Sequence, residues 1–392
     1  MYNRKIWARL KEHLSDAQTI VITGPRRVGK TTTIKWLLSQ INSENKYYFD
    51  LENVANRDLF SINDYDALLN EFRNLGLNLA EQIYIAIDEI QFVKNLPSIV
   101  KYLQDTYPVK FILSGSSSYY LKNLFSESLA GRKIIFELYP LTFSEFLVFK
   151  DINYQSEFDF TNPGSLNLQM FNKYQTYYDE YIEYGGLPQV VLAAKLSDKK
   201  ALLEDAYSSY INLDVQSLSD FKSLDEFRKL AKLLAARVGS KLNTTELGAV
   251  LGISRITIDA YLEFMSKTYL IKLVEVFSYS ADVQARKQEK VYFIDNGILN
   301  QNAIVSSGAK FENAIASQLA YSKQLNYFEN RTKEIDFIVD SSFAIEAKET
   351  PTNQDLVLLQ NRASELQLKN VFLVGKNLNK SFQDYIWGGQ LG

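Results

Sequence analysis

The residues best suited to chemistry lie near the start of the chain, between Gly24 and Thr31. This segment reads G-P-R-R-V-G-K-T, and it lies between an apolar stretch, Thr19 to Thr23, and a stretch with helical periodicity, Thr31 to Ser39. Its glycines permit a tight turn whose backbone N–H groups point at phosphate oxygens, and the following helix adds the positive end of its dipole. We therefore expect a phosphate-binding loop formed by Gly24, Pro25, Arg26, Arg27, Val28, Gly29, Lys30, Thr31 and Thr32.

Lys30 and Thr31 are the loop residues whose side chains suit phosphate chemistry. Lys30 would reach the β- and γ-phosphates of a nucleoside triphosphate, and the Thr31 hydroxyl would hold Mg²⁺. A second pair, Asp88 and Glu89, follows the apolar stretch I-Y-I-A-I, which is typical of a buried parallel strand. Asp88 would hold Mg²⁺ through water, and Glu89 would orient and polarise the attacking water. The alternative is an exposed strand terminus without a catalytic role.

Two further kinds of polar residue lie at the ends of predicted strands. Ser114 and Ser116 follow the apolar stretch 109–113, where one of them would sense the γ-phosphate or the attacking water. A serine cluster suits a helix N-cap equally well. Arg132 precedes another apolar stretch, 134–141. It would reach the γ-phosphate as an arginine finger, in its own chain or in a neighbour, or it would form an ordinary surface ion pair.

The composition excludes several classes of site. The 392 residues carry a formal net charge of −3 and include one histidine, His13, and no cysteine. Thiol chemistry and cysteine-bound zinc are therefore excluded, and a metal site must rely on carboxylates. The nearly balanced charge argues against a strongly basic nucleic-acid coat. The length predicts two or three domains, and the lack of a signal peptide or long apolar run predicts a cytoplasmic protein without a membrane partner.

These motifs, in this order, resemble the AAA-type branch of phosphate-loop ATPases. More narrowly, the segments G-P-R-R-V-G-K-T, I-D-E-I-Q, S-G-S-S, L-A-G-R and P-L-T-F-S-E-F resemble one family of bacterial and archaeal ATPases. Members of that family carry a C-terminal domain of unknown function, and the resemblance covers nearly the whole chain. It implies ATP and Mg²⁺ as cofactors, and it places the G-G-L-P element at 185–188 in a helical lid over the nucleotide.

The segment 225–278 closely resembles a winged helix-turn-helix. Its third helix, predicted over 256–267, would enter a DNA major groove. The main cations of this helix are Arg255 and Lys267, and it also carries Asp259 and Glu263. Because phosphate contacts dominate DNA affinity, this is a poor basic footprint. DNA binding and a protein-docking role are both compatible with the pattern.

A group of acids with one lysine lies near the C-terminus. Period-2 geometry places Glu346 and Lys348 on one face of a strand, and close pairing would bring Asp336 of the neighbouring strand to the same face. With Glu312 on a preceding helix, the set resembles the restriction-endonuclease-like superfamily. The resemblance implies a Mg²⁺ site for phosphodiester hydrolysis, with Lys348 helping to position the water. The alternative is a solvated Glu–Lys face on an inactive scaffold.

We therefore predict an α/β protein with a parallel-sheet AAA-type ATPase domain over 1–150 and a helical lid over 151–222. A winged helix-turn-helix over 223–280 and a PD-(D/E)XK nuclease-like α/β domain over 281–392 follow. The predicted function is ATP binding and hydrolysis coupled to the binding or cleavage of DNA or RNA. The alternative is a nucleotide-gated switch that binds a protein partner, with an inactive nuclease-like domain. An arginine finger acting between chains would imply a homo-oligomer.

Overall fold

The chain folds into two compact units, Asn3–Leu138 and Tyr139–Gly392. The computed structural model describes residues 2–61, 64–116, 131–154, 158–160, 164–216, 221, 223–280, 282, 284, 287–321, 324–331 and 333–392. Within those ranges, no helix combines the length and the apolar character that crossing a lipid bilayer demands.

The first unit is built on a parallel sheet with the strand order β2-β3-β4-β1-β5. The strand bounds are β1 Thr19–Thr23, β2 Lys46–Asp50, β3 Ile83–Asp88, β4 Val109–Gly115 and β5 Lys133–Glu137. Every residue of β1 and β4 is buried, as is usual for parallel strands. Because all these strands run in one direction, the residues that follow β1, β3 and β4 meet at the same edge of the sheet.

Helices pack around this sheet and share its apolar core. Their bounds are α1 Ile6–Glu12, α2 Lys30–Ser39, α3 Val54–Ser61, α4 Tyr65–Asn74 and α5 Leu96–Thr106. Trp7 stacks on Trp36 with ring centroids 4.3 Å apart, and the Trp7 indole N–H donates to the Thr33 hydroxyl at 3.0 Å. These contacts hold α1 against α2, the helix that follows the predicted phosphate loop.

The second unit contains a mixed sheet with the strand order β12-β11-β10-β9-β8-β6-β7. The strand bounds are β6 Ile271–Val276, β7 Lys290–Phe293, β8 Leu325–Asn330, β9 Lys333–Val339, β10 Phe343–Lys348, β11 Asn370–Gly375 and β12 Ile386–Trp387. β6 pairs antiparallel with β7 and parallel with β8. β6, which lies in the segment that resembles a winged helix, therefore belongs to the same sheet as the C-terminal strands.

Helices of the second unit share one hydrophobic core with this sheet, from Leu141 to Leu391. Their bounds are α6 Phe143–Phe149, α7 Leu168–Tyr184, α8 Pro188–Leu192, α9 Leu196–Ser209, α10 Leu224–Ala236, α11 Thr244–Leu251, α12 Arg255–Lys267, α13 Asn296–Asn302, α14 Ser307–Gln318 and α15 Asn353–Glu365, with a π-helical turn at Tyr210–Val215. Side chains of Asn243 and Ser254 cap α11 and α12. The three helices expected for a winged helix are present, and their assignment to that fold stays a prediction.

Candidate nucleotide site and acidic cluster

The predicted phosphate loop lies between β1 and α2, at the carboxyl edge of the parallel sheet. Gly24 has a φ of 149°, and a Cβ there would overlap the carbonyl oxygen of Leu138. Gly29 has a φ of 97°, a conformation that side chains rarely adopt. Because α2 begins at Lys30, the positive end of the helix dipole lies at the loop. Backbone geometry therefore explains both glycines of the motif.

Lys30 is buried within the loop. Its ammonium donates to the carbonyl oxygens of Gly24 at 2.9 Å and Pro25 at 2.8 Å. The positive charge is thereby held beside the loop backbone, where an anionic ligand of the loop would lie.

Asp88, the last residue of β3, is buried among hydroxyl groups from three other elements. Its Oδ2 accepts from the Thr31 hydroxyl at 2.6 Å and from the Tyr48 phenol at 3.0 Å. The Ser114 hydroxyl donates to Oδ1. The structure thus brings together Thr31, Asp88 and Ser114 as the sequence predicted. Tyr48 was not predicted, although its place in a strand that ends at this edge was a usable signal.

Glu89 adopts a left-handed backbone conformation, with a φ of 55°. Its N–H lies 3.1 Å from Asp88 Oδ1 and 3.4 Å from the Ser114 hydroxyl, and both accept from it. Its carboxylate accepts from the amide of Gln91, which also donates to the Ser116 hydroxyl at 3.2 Å. A left-handed residue other than glycine costs roughly 1 kcal/mol or more, and such strain concentrates at functional sites.

A further carboxylate, Glu52, lies near this group. Arg26 of the loop stands 3.9 Å from it. Burial raises the pKa of Glu52, and the negative charges of Glu89, Asp50 and Asp88 raise it further, while Arg26 opposes them. The loop is therefore flanked by several acids, an arrangement that cations such as Lys30 and a bound divalent metal would offset.

Arg132 lies at the opposite edge of the sheet, so a role on its own chain's nucleotide was wrongly predicted. It directly precedes β5, and its carbonyl accepts from the N–H of Thr19, the first residue of β1, at 2.8 Å. The phosphate loop follows the last residue of β1, roughly 13 Å further along the strand. The Arg132 guanidinium forms an exposed ion pair with Asp105, which was the alternative interpretation. Action on a neighbouring copy stays a prediction.

Two predicted motifs extend beyond the described residues. Ser117 and Ser118 of the serine cluster lie outside them, as do Leu129 and Ala130 of L-A-G-R.

In the second unit, Asp336, Glu346 and Lys348 share one face of the β9–β10 pair. Ile345 is paired with Phe337 in the antiparallel register, so the next position along places Glu346 opposite Asp336. Asp336 Oδ2 accepts from the N–H of Ala347 at 2.9 Å. Lys348 lies 2.9 Å from Glu346. The predicted hairpin arrangement is therefore present.

Glu312, on α14, adds a third carboxylate to this cluster. It accepts from the Tyr292 phenol at 2.7 Å, and the buried ammonium of Lys290 lies 3.7 Å away. Burial, followed by the charge of Asp336, raises the pKa of Glu312 to about 7. The same two causes raise the pKa of Glu346 to about 7. We call Lys290, Glu312, Asp336, Glu346 and Lys348 the acidic cluster.

Basic residues that the sequence did not point to balance this cluster. Lys290 also pairs with Glu334, and Arg362 lies 3.5 Å from Glu346. Burial raises the pKa of Asp336, while Lys290 and Lys348 lower it. Across the part of the chain that the structure describes, no three histidine, cysteine or acidic residues are grouped to hold a metal. Metal binding by the three carboxylates therefore stays a prediction, and Glu346 Oε2 is buried without a hydrogen-bond partner among the described residues.

The predicted recognition helix, α12, carries its cations in ion pairs with its own acids. Arg255 lies 3.5 Å from Asp259, and Lys267 lies 2.5 Å from Glu263. A cleft of about 790 Å³ lies beside this helix, and both acids and bases line it. Among the described residues this face is not a basic footprint of the kind that DNA binding favours.

Comparison with known proteins supports the AAA-type domain that was predicted for the first part of the chain. Residues 16–147 match a family model described as an AAA domain, and residues 175–308 match one described as a domain of unknown function (DUF8612). An uncharacterized protein of Haemophilus influenzae is 28% identical, and the match covers 81% of this chain and 78% of the relative. One of Methanocaldococcus jannaschii is 28% identical, with 90% and 80% covered.

Solved structures show weaker likenesses. The Aeropyrum pernix ORC1 protein in complex with DNA matches with a TM-score of 0.33 and 13% identity, over 81% of this chain and 94% of that one. AMPPCP-bound DnaA from Aquifex aeolicus matches with a TM-score of 0.29 and 18% identity, over 66% and 85%. At these TM-scores and sequence identities, the likenesses do not inform the function of this chain. The matched family model and the glycine-rich loop on a parallel sheet both support an AAA-type domain in the first unit.

Proposed function

We propose that the first unit binds ATP with Mg²⁺ and hydrolyses it. The observation that carries this proposal is the 2.6 Å hydrogen bond between the Thr31 hydroxyl and Asp88. It joins the residue after the loop lysine to the acid at the end of β3, which are the two groups that phosphate-loop enzymes use around Mg²⁺. Hydroxyl and carboxylate oxygens are also the ligands that Mg²⁺ prefers, so the donor set fits the metal.

Each residue of the site has a defined task in this proposal. Lys30 would exchange its loop carbonyls for phosphate oxygens of the nucleotide, and Thr31 and Asp88 would hold the metal. Bound Mg²⁺ would neutralise charge that develops on the phosphates. Glu89 orients the attacking water and accepts its proton, and Ser114 keeps Asp88 in place through its hydrogen bond.

Two substitutions separate binding from hydrolysis. Lys30→Ala should weaken ATP binding by roughly 100-fold, because it removes a charge-assisted hydrogen bond to phosphate. Glu89→Gln should keep ATP affinity and lower turnover by roughly 100-fold or more, because it removes the base. Lys101→Ala, at an exposed position of α5, is the matched control. Binding is measured with a fluorescent ATP analogue and turnover by phosphate release. Unchanged turnover in both test variants would refute the assignment.

A second candidate activity is metal-dependent cleavage of DNA or RNA by the second unit, coupled to ATP turnover. It is favoured by the shared face of Asp336, Glu346 and Lys348 and by Glu346 Oε2, which is buried and has no hydrogen-bond partner in the described ranges. Mg²⁺ is often held by one or two carboxylates with water, so two acids would suffice. Lys348 would position the attacking water.

A partner-binding switch with an inactive nuclease-like domain is the competing proposal. It is supported by the cations Lys290 and Arg362 beside the acidic cluster, and by the ion-paired state of Arg255 and Lys267. Here ATP turnover would change the affinity for a protein instead of acting on a nucleic acid.

One assay decides between the two proposals. Protein with Mg²⁺ or Mn²⁺ and labelled DNA or RNA should give cleavage that Lys348→Ala abolishes, with Lys380→Ala at an exposed position as control. Cleavage that is absent from wild type, together with no salt-sensitive nucleic-acid binding, would exclude the nuclease candidate and favour the switch.

A further inference from the structure

We propose that Gln91 is a positioning residue for ATP hydrolysis, holding the carboxylate of Glu89 in its working orientation. This inference rests on the proposed function of the first unit. Gln91 lies in the short 3-10 turn Ile90–Phe92, two residues beyond Glu89, and only 4% of its surface is exposed.

The amide nitrogen of Gln91 connects two groups at the carboxyl edge of the sheet. It donates to Glu89 Oε2 and, at 3.2 Å, to the Ser116 hydroxyl just beyond β4. An amide NH₂ has two hydrogens, so one group can make both bonds. The end of β4 is thereby joined to the predicted catalytic base.

The orientation of the amide is determined by these acceptors. Gln91 Oε1 is buried and accepts no hydrogen bond from any residue in the described ranges. Leaving such an oxygen unsatisfied costs roughly 1–3 kcal/mol. The reversed amide would place that oxygen against the Glu89 carboxylate, which would be repulsive.

The backbone of Glu89 is already fixed by other contacts. Its φ of 55° is left-handed, and its N–H is bonded to Asp88 Oδ1 and to the Ser114 hydroxyl. The remaining freedom lies in the side-chain torsions, and the Gln91 contact restricts them. The second carboxylate oxygen is the one that would face the water.

The test compares Gln91→Ala with Gln104→Ala. Gln104 is a matched control because its amide also donates to a side-chain hydroxyl, that of Thr19, at 3.0 Å, but at the other end of β1. We expect Gln91→Ala to lower kcat by roughly 10- to 100-fold, the effect of a misplaced catalytic group. Affinity for a fluorescent ATP analogue and the melting temperature should stay near the wild-type values, and Gln104→Ala should leave kcat unchanged.

A second variant supplies a readout that a structural role would not move. Gln91→Glu replaces the donor amide with a carboxylate, which cannot donate to the Glu89 carboxylate and repels it. We expect kcat to fall at least as far as in Gln91→Ala, while ATP affinity is retained.

Three results would overturn the inference. The first is a wild-type kcat in both Gln91 variants. The second is a Gln91→Ala variant whose lower turnover is fully explained by weaker ATP binding or by partial unfolding. Gln91 would then be merely structural. The third is a wild-type protein that binds ATP without turning it over. That result would refute the proposed hydrolysis itself, whereas the first two would refute only the role of Gln91.

Discussion

The candidate site of each unit contains a lysine and a carboxylate, but the contacts of these side chains differ. In the first unit, Lys30 donates to backbone carbonyls, and Asp88 accepts from hydroxyl groups. In the acidic cluster, Lys348 lies 2.9 Å from Glu346, a carboxylate whose charge is opposed by Asp336.

The two sites therefore differ in the contacts that must change before a phosphate or a metal can bind. Lys30 would exchange two backbone carbonyls for phosphate oxygens, whereas Lys348 would have to leave the carboxylate of Glu346. Asp88 is an acceptor on which several donors depend, and Glu346 is one of several buried acids that repel one another. Replacing an acid with its amide should therefore have opposite effects in the two places.

The largest effect is expected for Asp88→Asn. The amide keeps one acceptor oxygen, so the hydroxyls that donate to the other oxygen, either those of Thr31 and Tyr48 or that of Ser114, lose their acceptor. The charge that would hold the metal is also lost. We expect turnover to fall by roughly 100- to 1,000-fold and the melting temperature to fall as well. Phosphate release and calorimetry measure the two effects. A variant with wild-type stability would show that the hydroxyls do not depend on the carboxylate.

Lys290→Met tests whether the acidic cluster needs its buried cation. Lys290 lies beside Glu312 and Glu334, and removing it leaves buried negative charge uncompensated. Breaking a buried pair costs about 4 kcal/mol of unfolding free energy. The loss should be largest at pH 8 and smaller at pH 5, where acids with raised pKa values are protonated. Urea unfolding at both pH values measures it, with the surface variant Lys380→Ala as control.

Glu346→Gln should stabilise the protein at alkaline pH. Because the pKa of Glu346 is raised from 4.5 to about 7, the folded state binds more protons than the unfolded state between these values. Its contribution to stability is therefore complete below pH 4.5 and is lost as the pH rises through about 7. The amide removes that loss, so a gain on the order of 3 kcal/mol is expected at pH 8 and little change at pH 4. Unfolding with EDTA present measures it, and equal effects at both pH values would contradict the shift.

Tyr48→Phe should have the smallest effect. It removes one of several donors to Asp88 and leaves the ring in place, so we expect a loss of about 1 kcal/mol of stability and a few-fold change in turnover. A loss of turnover as large as that of Asp88→Asn would give Tyr48 a direct role in the reaction.

The nucleotide site was largely predictable because its geometry follows from local patterns. A glycine motif between a strand and a helix fixes the loop, and strands running in parallel bring Asp88 and Ser114 to the same edge. Gln91 carried a weaker signal, as a polar residue two positions after Glu89. Its importance depends on the left-handed turn at Glu89, which the sequence does not specify.

Other features depend on how distant segments pair and pack in the folded chain, which local sequence patterns do not reveal. The position of Arg132 was wrongly predicted because it depends on the register of β5 with β1, in which Lys133 pairs with Thr19. Lys290 and Arg362 were missed because sheet order and helix docking bring β7 and α15 to the acidic cluster. No spacing in the sequence relates them to Glu346.

The stacked pair Trp7 and Trp36 has a spectroscopic consequence. The chain has three tryptophans, and the third, Trp387, lies in the second unit. Indole rings 4.3 Å apart are close enough for their electronic transitions to couple. Circular dichroism of the coupled pair should therefore report the unfolding of the helix after the phosphate loop. The fluorescence of Trp387 in a Trp7→Phe, Trp36→Phe variant would report the unfolding of the second unit. The native chromophores thus allow the melting of each unit to be recorded separately.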